Sequence, residues 1–339
     1  MYEILSVGET LIDFIPVRQD GGQLVYQQNT GGSPANLACA LARLGIRAAF
    51  AGKVGNDPFG RSCRAELERC GVDVSGLVLS DEHQTPLAFI RHDEEGKHFT
   101  FYRNETTADQ NLLPEDLDRE MFCGLKVFHF SSVSLTSEPS RSTVLNAAAM
   151  ARECEALITF DPNVRLNLWE SPEEARRVIL NCLPLVDVLK LGADDLALLL
   201  PGMDEHEACQ LLYQNFGTQM IIITRSAKGC YTYVNEDSYV SCAYDLPVID
   251  TTGAGDAFFA GIIFNLLKLE KSIFDLSSVE ITIMLDFANA LGSLVTTKPG
   301  AIGAFPDPAE VVHCMQSAPK IFPVSHEDYW DEVPAEVEA

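Results

Sequence analysis

The chain has 339 residues, enough for one large α/β domain with an appendage, and its 47% of apolar residues suffices for a buried core. The formal net charge of −25 argues against a broad nucleic-acid or anionic-membrane surface, because both surfaces need basic patches. We therefore expect no nucleic-acid partner and no membrane partner. An anionic substrate would have to be bound by local Arg, Lys or backbone N–H groups.

The ten cysteines are scattered along the chain, without a C-x-x-C pair or a His-interleaved cluster. A disulfide framework or a zinc site would show tighter spacing. The N-terminus carries no basic segment, and no uninterrupted apolar run reaches about 18 residues. These features predict reduced thiols and a cytoplasmic protein.

Residues 4–7 form a short apolar run that predicts a buried strand, and residues 11–17 continue as extended structure. Asp13 lies between two apolar residues of that second stretch, where burying an unpaired carboxylate is costly. Either Asp13 faces outward from a half-exposed strand, or it lines a polar pocket suited to sugar hydroxyls.

A glycine turn at residues 31–36 (GGSPAN) precedes a predicted helix at about residues 34–44. Ser33 is a natural N-cap, and proline at the next position suits the first helical residue. Asn36 lies in the first turn, where its amide can reach a ligand held at the helix N-terminus. Taken alone, the glycines fit a simple turn equally well.

Apolar strands and helical stretches alternate through the middle of the chain, which predicts a mostly parallel sheet with helices on both faces. The predicted strands are residues 48–51, 127–130, 157–160, 186–189 and 220–224, and the predicted helices are 58–69, 137–153, 171–180 and 204–214. Segments at about 12–28 and 86–103 alternate as strands without helices. They predict a small antiparallel β lid, and because exposed strands often pair with another subunit, we expect a homodimer through it.

Residues 161–165 (DPNVR) follow a predicted strand, at the carboxyl edge where open α/β sheets bind ligands. Pro162 excludes helix for Asp161. Arg165 is either a contact to phosphate or substrate, or an ordinary surface arginine.

The stretch that carries most chemistry is residues 250–256 (DTTGAGD), followed by the helical apolar run 257–267. Its glycines let the backbone approach a ligand closely, and the first N–H groups of the helix have no intrahelical partner. The helix dipole adds partial positive charge, so the turn predicts a phosphate site. Asp256 either complements that dipole or is a base that takes a proton from an attacking hydroxyl.

The last predicted helices are residues 276–295, which carry Asn289, and 306–315. Residues 319–339 form an acidic extension beyond a predicted domain at 1–318. The sequence has no G-x-x-x-x-G-K-[ST] loop, no fitting dinucleotide fingerprint and no G-x-S-x-G elbow. P-loop enzymes and α/β-hydrolases are therefore excluded.

The two glycine regions together resemble the ribokinase-like (PfkB) family of carbohydrate kinases. Residues 31–38, with Gly45 and Gly55, look like the first family signature, and residues 250–261 look like the second, in the family's order. The resemblance covers about residues 1–316. It implies a ribokinase-like three-layer α/β/α fold with a mostly parallel sheet and a small antiparallel β lid.

Within the family, residues 8–14, 101–109 and 161–169 look most like those of fructokinases. The resemblance implies an ATP-dependent kinase that uses Mg²⁺ and a monovalent cation such as K⁺, and that converts fructose to fructose 6-phosphate. Three alternatives stay open: a 2-keto-3-deoxygluconate kinase, a riboside kinase of the same family, and a non-catalytic sugar-binding regulator on the same fold. A keto-deoxy acid would need a cation in the pocket, from Arg103 or Arg165.

The resemblance also implies roles for individual residues. Asp256 would be the general base, assisted by an anion hole of Gly253, Ala254 and Gly255 and by Arg165. The substrate-binding residues would be Asp13, Gly31, Gly32, Asn36, Arg103, Arg165 and Asp256. The nucleotide-binding residues would be Lys190, Thr224, Ser226, Gly229, Gly253, Gly255 and Asn289. Asp250, Thr252 and Gly300 would hold the monovalent cation, and Asp195 would reach Mg²⁺ through water.

Two motifs depart from the family pattern. The N-x-x-E motif appears as residues 192–195 (GADD), so the asparagine is lost and the acid is shorter. The T-x-G-x-x-G nucleotide turn reads as residues 224–229 (TRSAKG), with Ser226 in place of a glycine. Neither change affects the predicted base or anion hole.

Overall fold

A nine-stranded sheet forms the centre of the computed structural model, which describes residues 2–18, 23–93 and 96–321. Numbered in chain order, its strands are β1 (Ile4–Val7), β4 (Ala48–Gly55), β5 (Asp73–Ser80), β8 (Val127–Ser131), β9 (Leu157–Asp161), β10 (Val188–Gly192), β11 (Met220–Thr224), β12 (Cys230–Val234) and β13 (Asp237–Ser241). The order across the sheet is β13-β12-β11-β10-β9-β8-β1-β4-β5. The seven strands from β11 to β5 in this order run parallel, and β12 and β13 form an antiparallel edge.

Helices cover both faces of this sheet. They are α1 (Ser33–Arg43), α2 (Pro58–Arg69), α3 (Ser140–Glu153), α4 (Pro172–Cys182), α5 (Ala193–Leu199), α6 (Glu205–Phe216), α7 (Ala254–Leu269), α8 (Ser278–Val295) and α9 (Pro308–Ser317). Successive side chains of a strand point to opposite faces, so Met220 and Ile222 join the core under α1, α7 and α8, whereas Ile221 and Ile223 join the core under α3, α4 and α6. The predicted three-layer ribokinase-like fold is confirmed.

The predicted lid is a second, four-stranded sheet. Its strands are β2 (Leu11–Arg18), β3 (Leu24–Gly31), β6 (Leu87–Asp93) and β7 (Gly96–Tyr102), in the order β3-β2-β6-β7. β2 pairs with β3, and β6 with β7, as antiparallel hairpins, and β2 runs parallel to β6 where the hairpins meet. Residues 19–22 and 94–95, which connect the two strands of each hairpin, lie outside the described residues. Leu24, Tyr26 and Tyr102 are exposed on this sheet, and the homodimer through it stays a prediction.

Two features of the sheet were not predicted from sequence. β5 follows α2 with only the short link at residues 70–72, and the β12–β13 hairpin turns at Asn235 and Glu236, both with positive φ (54° and 64°). Two positive φ values suit a tight hairpin, but Asn-Glu is a weaker sequence signal for it than Asn-Gly.

α8 is apolar and long enough to cross a membrane, with a mean hydropathy of 1.3, but 56% of it is buried inside the fold. It packs on α7 so closely that a Cβ at Gly261 would lie 2.8 Å from Ala288 Cα. Gly261 is therefore a packing position, and α8 is a core helix of the large domain. The acidic residues from 322 to 339 lie outside the described part of the chain.

Candidate active site

A cavity of about 280 Å³ lies at the carboxyl edge of the parallel strands, between the central sheet and the lid. Its size suits a small ligand. The loops after β1 and β9, the N-termini of α1 and α7, and β7 of the lid contribute to its wall. The charged residues that line it are Glu9, Asp13, Arg165, Lys190 and Asp256.

Asp256 lies in the first turn of α7, with 7% of its surface exposed. The helix begins after Gly253, whose φ of +78° is left-handed and whose Cβ, if present, would lie 2.5 Å from Ala301 Cβ. Only glycine allows this start without strain. Of the three amides predicted to form the anion hole, that of Ala254 already donates to Thr251 O at 3.2 Å. One of the three predicted N–H donors is therefore already used within the turn.

The first turn of α1 holds the carboxylate of Asp256 from the other side. Ser33 Oγ donates to Asp256 Oδ1 at 2.6 Å, and Asn36 Nδ2 donates to Asp256 Oδ2 at 2.8 Å. Ser33 is not the N-cap that the sequence predicts, because Gly32 occupies that position with a φ of +106°. The oxygen Oδ1 of Asn36 is buried without a hydrogen-bond partner, and Asn36 lines the cavity. It can therefore accept from a ligand hydroxyl.

Burial raises the pKa of Asp256 above its ordinary value. The hydrogen bonds from Ser33 and Asn36, and the charges of Lys190 and Arg165, lower it in part. A carboxylate with a raised pKa is a stronger base than a free one, and it faces a cavity here. The environment of Asp256 therefore suits proton abstraction.

Asp13 and its neighbouring glycines form the wall next to the lid. The carboxylate of Asp13 folds over Gly31, where a Cβ would lie 2.1 Å from Asp13 Oδ2. At Gly32, a Cβ would lie 2.4 Å from Glu9 O. Asp13, Gly32, Asn36 and Asp256 line the same cavity, so the structure brings the two predicted signatures together.

Lys190 reaches the cavity from β10. The pairing of Leu189 with Phe160 places Lys190 opposite Asp161 on β9, and Lys190 Nζ lies 2.7 Å from Asp161 Oδ2. Burial raises the pKa of Asp161 to about 6, while the surrounding carboxylates raise the pKa of Lys190 despite its burial. The ammonium also lies over the start of α7, because a Cβ at Gly255 would lie 3.1 Å from Nζ. Gly255 therefore leaves room for this cation.

The two predicted arginines differ in placement. Arg165 lines the cavity, where its guanidinium lies over the ring of Phe99, 5.4 Å from the centroid, and donates to Asn163 O and Val164 O. Arg103 lies behind the wall instead. Its side chain is 1% exposed, pairs with Asp109 and donates to Val133 O. Arg103 was predicted to contact the substrate, but the structure directs its N–H donors at protein acceptors behind the cavity wall.

Of the predicted nucleotide residues, Lys190, Gly253 and Gly255 line this cavity, whereas Thr224, Ser226, Gly229 and Asn289 do not. Thr224 ends β11 and donates through Oγ1 to Leu191 O at 3.2 Å, and Ser226 is exposed with a φ of +51°. At Gly229, φ is +85° and a Cβ would lie 2.0 Å from Ser241 O. Asn289 is buried, and its amide donates to Leu285 O. Contrary to the predicted nucleotide contact, Asn289 is enclosed in the core.

The predicted cation residues form two local networks. Asp250 accepts from Thr252 N–H and Oγ1 through one oxygen, and from Gly300 N–H through the other. The structure therefore brings the proposed monovalent-cation residues together. Asp195 instead closes the start of α5, because its two oxygens accept from Gly192 N–H and Val164 N–H, each at 2.9 Å. Asp195 therefore has a structural contact through each oxygen, and its contact to Mg²⁺ through water stays a prediction.

Sequence reasoning assigned no catalytic or ligand-binding role to several residues of the cavity. Glu9 and Ser33 contact the rest of the site by hydrogen bonds, and Phe99 and Phe101 of β7 stack at 5.9 Å on the lid side. Glu9 directly follows Gly8, the first residue after β1, and the acid next to this buried strand was the signal that the sequence offered. The aromatic pair carried a signal too, since alternate residues of a strand share one face.

Comparisons with known proteins agree with this geometry. The profile of the pfkB family of carbohydrate kinases matches residues 1–308. The chain is 38% identical over 325 residues to probable fructokinase-3 of Arabidopsis thaliana, covering 94% of this chain and 92% of that protein. It is 38% identical over 322 residues to fructokinase-1 of Oryza sativa subsp. japonica, covering 93% and 98%.

Solved structures give the same result. A fructokinase from Xylella fastidiosa with bound ATP superposes with a TM-score of 0.87 at 29% identity, covering 93% of this chain and 99% of that one. A double mutant of the fructokinase from Vibrio cholerae O395, with fructose, ADP and potassium ion, has a TM-score of 0.82 at 32% identity, covering 92% and 98%. An aminoimidazole riboside kinase from Salmonella enterica has a TM-score of 0.80 at 29% identity, covering 92% and 99%.

Proposed function

Because the chain belongs to the pfkB family of carbohydrate kinases and is a sugar kinase, we propose that it transfers the γ-phosphoryl group of ATP to the primary hydroxyl of fructose. One observation carries the proposal. A buried aspartate, Asp256, lies in the first turn of α7 and shares one cavity with Asp13, Asn36 and Lys190. In this proposal a base, polar groups for sugar hydroxyls and a cation surround one small space.

Asp256 takes the proton of the attacking hydroxyl. Because Ser33 and Asn36 hold its two oxygens, the carboxylate is fixed before the sugar binds and does not have to be ordered during the reaction. The unpartnered Oδ1 of Asn36 and the carboxylate of Asp13 accept hydrogen bonds from other hydroxyls of the sugar. The attacking oxygen is thereby oriented toward the start of α7.

The start of α7 and Lys190 stabilise the charge of the transferring group. Phosphoryl transfer relies on positioning and on charge stabilisation, which helix N-termini and buried cations provide. Gly255 lets the ammonium of Lys190 lie over the first helical turn, so the cation and the N–H groups of the helix share one space. We place the nucleotide triphosphate on this side, next to residues 224–229.

Mg²⁺ would neutralise the phosphates of the nucleotide when bound. The described residues contain no group of three or more His, Cys, Asp or Glu that suits a metal ion, and Asp195 is committed to backbone amides. We therefore propose that the phosphates of ATP and water molecules supply most of the ligands for this ion, because Mg²⁺ usually keeps several waters and binds substrate phosphates.

We propose fructose rather than 2-keto-3-deoxygluconate as the acceptor. The carboxylate of the keto-deoxy acid needs a cation, and Arg103 is committed to Asp109 and Val133 outside the cavity. Arg165 does line the cavity, but its guanidinium already donates to Asn163 O and Val164 O and lies over the ring of Phe99. Glu9 and Asp13 place acidic groups on the sugar side, where they would repel an anionic substrate. A neutral polyol has no such penalty.

An ADP-release assay over a small panel of acceptors tests the proposal. The panel holds fructose, glucose, ribose, 2-keto-3-deoxygluconate and aminoimidazole riboside, each at the same concentrations of ATP and Mg²⁺. We expect the highest kcat/KM for fructose. A higher value for the keto-deoxy acid or for the riboside contradicts the choice of fructose, and sugar binding without ADP release contradicts the kinase reaction itself.

Three further proposals concern the surroundings of the enzyme. We propose K⁺ as an activator held near Asp250, because the Vibrio cholerae relative binds potassium ion. Assays in KCl and in tetramethylammonium chloride test this proposal.

We propose a homodimer through the exposed lid residues Leu24, Tyr26 and Tyr102, and light scattering tests it. We propose a cytoplasmic location, supported by ten free thiols and tested by cell fractionation.

A further inference from the structure

Glu9 lies between β1 and β2, with 2% of its surface exposed. Both of its carboxylate oxygens have donors. Oε1 accepts from Ser33 N–H at 3.1 Å, and Oε2 accepts from Ser131 Oγ at 3.2 Å and from Ser134 Oγ at 3.4 Å. Burying a carboxylate is costly, so a buried acid at the active site that takes no part in proton transfer calls for another role.

The contact of Glu9 with Ser33 fixes the start of α1. This helix has glycine at its N-cap and therefore lacks a capping side chain. Glu9 Oε1 accepts from an amide that has no partner within the helix. The backbone of Glu9 is also close, because a Cβ at Gly32 would lie 2.4 Å from Glu9 O. Glu9 thus does for α1 what a capping side chain does elsewhere.

Ser33 in turn contacts Asp256. Its hydroxyl donates to Asp256 Oδ1 at 2.6 Å, so the contacts run in one line from Glu9 through Ser33 to Asp256. We propose that Glu9 is a positioning residue: by holding the amide of Ser33, it keeps the Ser33 hydroxyl on Asp256 and so orients the base toward the sugar. This inference rests on the proposed function, since it requires Asp256 to be the base.

A different role, direct contact with the sugar, makes a distinct prediction. Glu9 lines the cavity, so a sugar contact would raise the sugar KM when Glu9 is changed and leave kcat nearly the same. Positioning of the base does the opposite: kcat falls and the sugar KM changes little. The two roles are therefore separable by steady-state kinetics.

The pH profile of kcat/KM adds a readout that a merely structural role would not change. Asp256 faces Ser33 and Asn36 of α1, Lys190 of β10 and Arg165 of the β9 loop, and each of these favours its charged form. Loss of the Ser33 hydrogen bond therefore moves the acidic limb of the profile to higher pH. Glu9 itself faces Arg103 and Asp109, which stay in place in every variant below.

The experiment compares Ser33→Ala, Glu9→Ala and the double variant in the full-length enzyme. We expect Ser33→Ala to lower kcat about 10-fold, the scale of one hydrogen bond to a charged group, with a sugar KM within about threefold. Glu9→Ala should lower kcat in the same direction, and both variants should shift the acidic limb to higher pH. Because Glu9 acts through Ser33, the double variant should be no slower than Ser33→Ala alone.

Two conservative variants complete the test. Glu9→Gln keeps an oxygen for the amide of Ser33 and should retain most of kcat, whereas Glu9→Asp withdraws that oxygen and should show the pH shift even if Glu9→Ala fails to fold. Additive losses in the double variant, an effect of Glu9→Ala on sugar KM alone, or no rescue by Glu9→Gln overturns the proposal. Asp256→Asn, assayed in parallel, separates the failures. If it keeps normal turnover, the base role and the positioning role fall together; if it is inactive while the losses are additive, only the positioning role falls.

Discussion

The proposed sugar side and the proposed nucleotide side of this site are built in different ways. On the sugar side, Asp256 is held by side-chain hydrogen bonds from Ser33 and Asn36, which come from the other end of the chain. On the nucleotide side, Ser226 and Gly229 contribute mainly a backbone shape with positive φ. A serine can adopt a left-handed φ at some cost, as Ser226 does, whereas the hydrogen bonds to Asp256 require the hydroxyl of Ser33 and the amide of Asn36.

The largest effect should come from Lys190, which connects the two sides. Lys190→Met leaves Asp161 buried without its partner, which should lower the free energy of unfolding by about 3–5 kcal/mol. The double variant Lys190→Met/Asp161→Leu should recover most of that stability, because no uncompensated charge remains, but should not recover kcat. Urea unfolding and ADP-release rates measure the two quantities. A double variant with restored turnover would show that Lys190 acts only as a structural ion pair.

Matched glycine substitutions sharpen the contrast between the sides. Gly253→Ala and Gly229→Ala each add a Cβ at a positive φ, which should cost about 1–3 kcal/mol of stability in both variants. The new Cβ also meets Ala301 Cβ at 2.5 Å in the first variant and Ser241 O at 2.0 Å in the second, so steric strain adds to both losses. Only Gly253→Ala moves the helix start at the reacting phosphoryl group, so it alone should lower kcat, by roughly 10²–10³-fold. Kinetics below the melting temperature of both variants check this. Equal losses of kcat in the two variants would remove the distinction.

The pH dependence of stability tests how the sugar side holds its buried acid. Burial raises the pKa of Glu9 from its ordinary value of 4.5 to about 7, so the folded protein binds this proton more tightly than the unfolded chain. The resulting stabilisation is present below pH 4.5 and is lost as the pH rises to about 7. Relative to wild type, Glu9→Gln should therefore gain roughly 1–3 kcal/mol between pH 4.5 and pH 8.

Urea unfolding of both proteins across that pH range measures the difference. Glu120→Gln, at an exposed position, is the control and should follow wild type at every pH. A difference between Glu9→Gln and wild type that does not change with pH would contradict the burial argument.

The smallest effect should come from the nucleotide turn. Ser226→Gly relieves a left-handed φ of +51°, but it also makes the unfolded chain more flexible. The two effects nearly cancel, so stability should change by less than about 0.5 kcal/mol, with the KM for ATP unchanged. Unfolding curves and ATP titrations check both. A severalfold rise in the KM for ATP would mean that the serine side chain itself binds the nucleotide.

The sequence predicted the features that depend on local backbone chemistry. The glycine turn before Asp256 and the alternation of strands and helices are set by short-range rules, so the acid in the first turn of α7, the fold and the lid were predictable. The roles of Arg103 and Asn289 were not, because each depends on a partner brought near by folding. Arg103 pairs with Asp109 behind the cavity wall, and Asn289 meets Leu285 and Ser241 in the core. Spacing along the chain does not reveal such partners.

The role of Ser33 also depends on a residue that is distant in sequence, although Ser33 itself lies in a recognisable local motif. A serine before Pro-Ala-Asn is a natural N-cap by local rules, yet Gly32 takes that position and frees the Ser33 hydroxyl for Asp256. The distant Asp256 decides between the two uses, since it offers a charged acceptor.

The most direct test of the account is the turnover of Asp256→Asn with fructose and ATP at saturating concentrations, beside the exposed control Asp275→Asn. Asparagine has the shape of aspartate but cannot take the proton. We expect kcat to fall by at least about 10²-fold, with a modest change in the fructose KM and normal turnover in the control. Near-normal turnover of Asp256→Asn would contradict the claim that this carboxylate is the base.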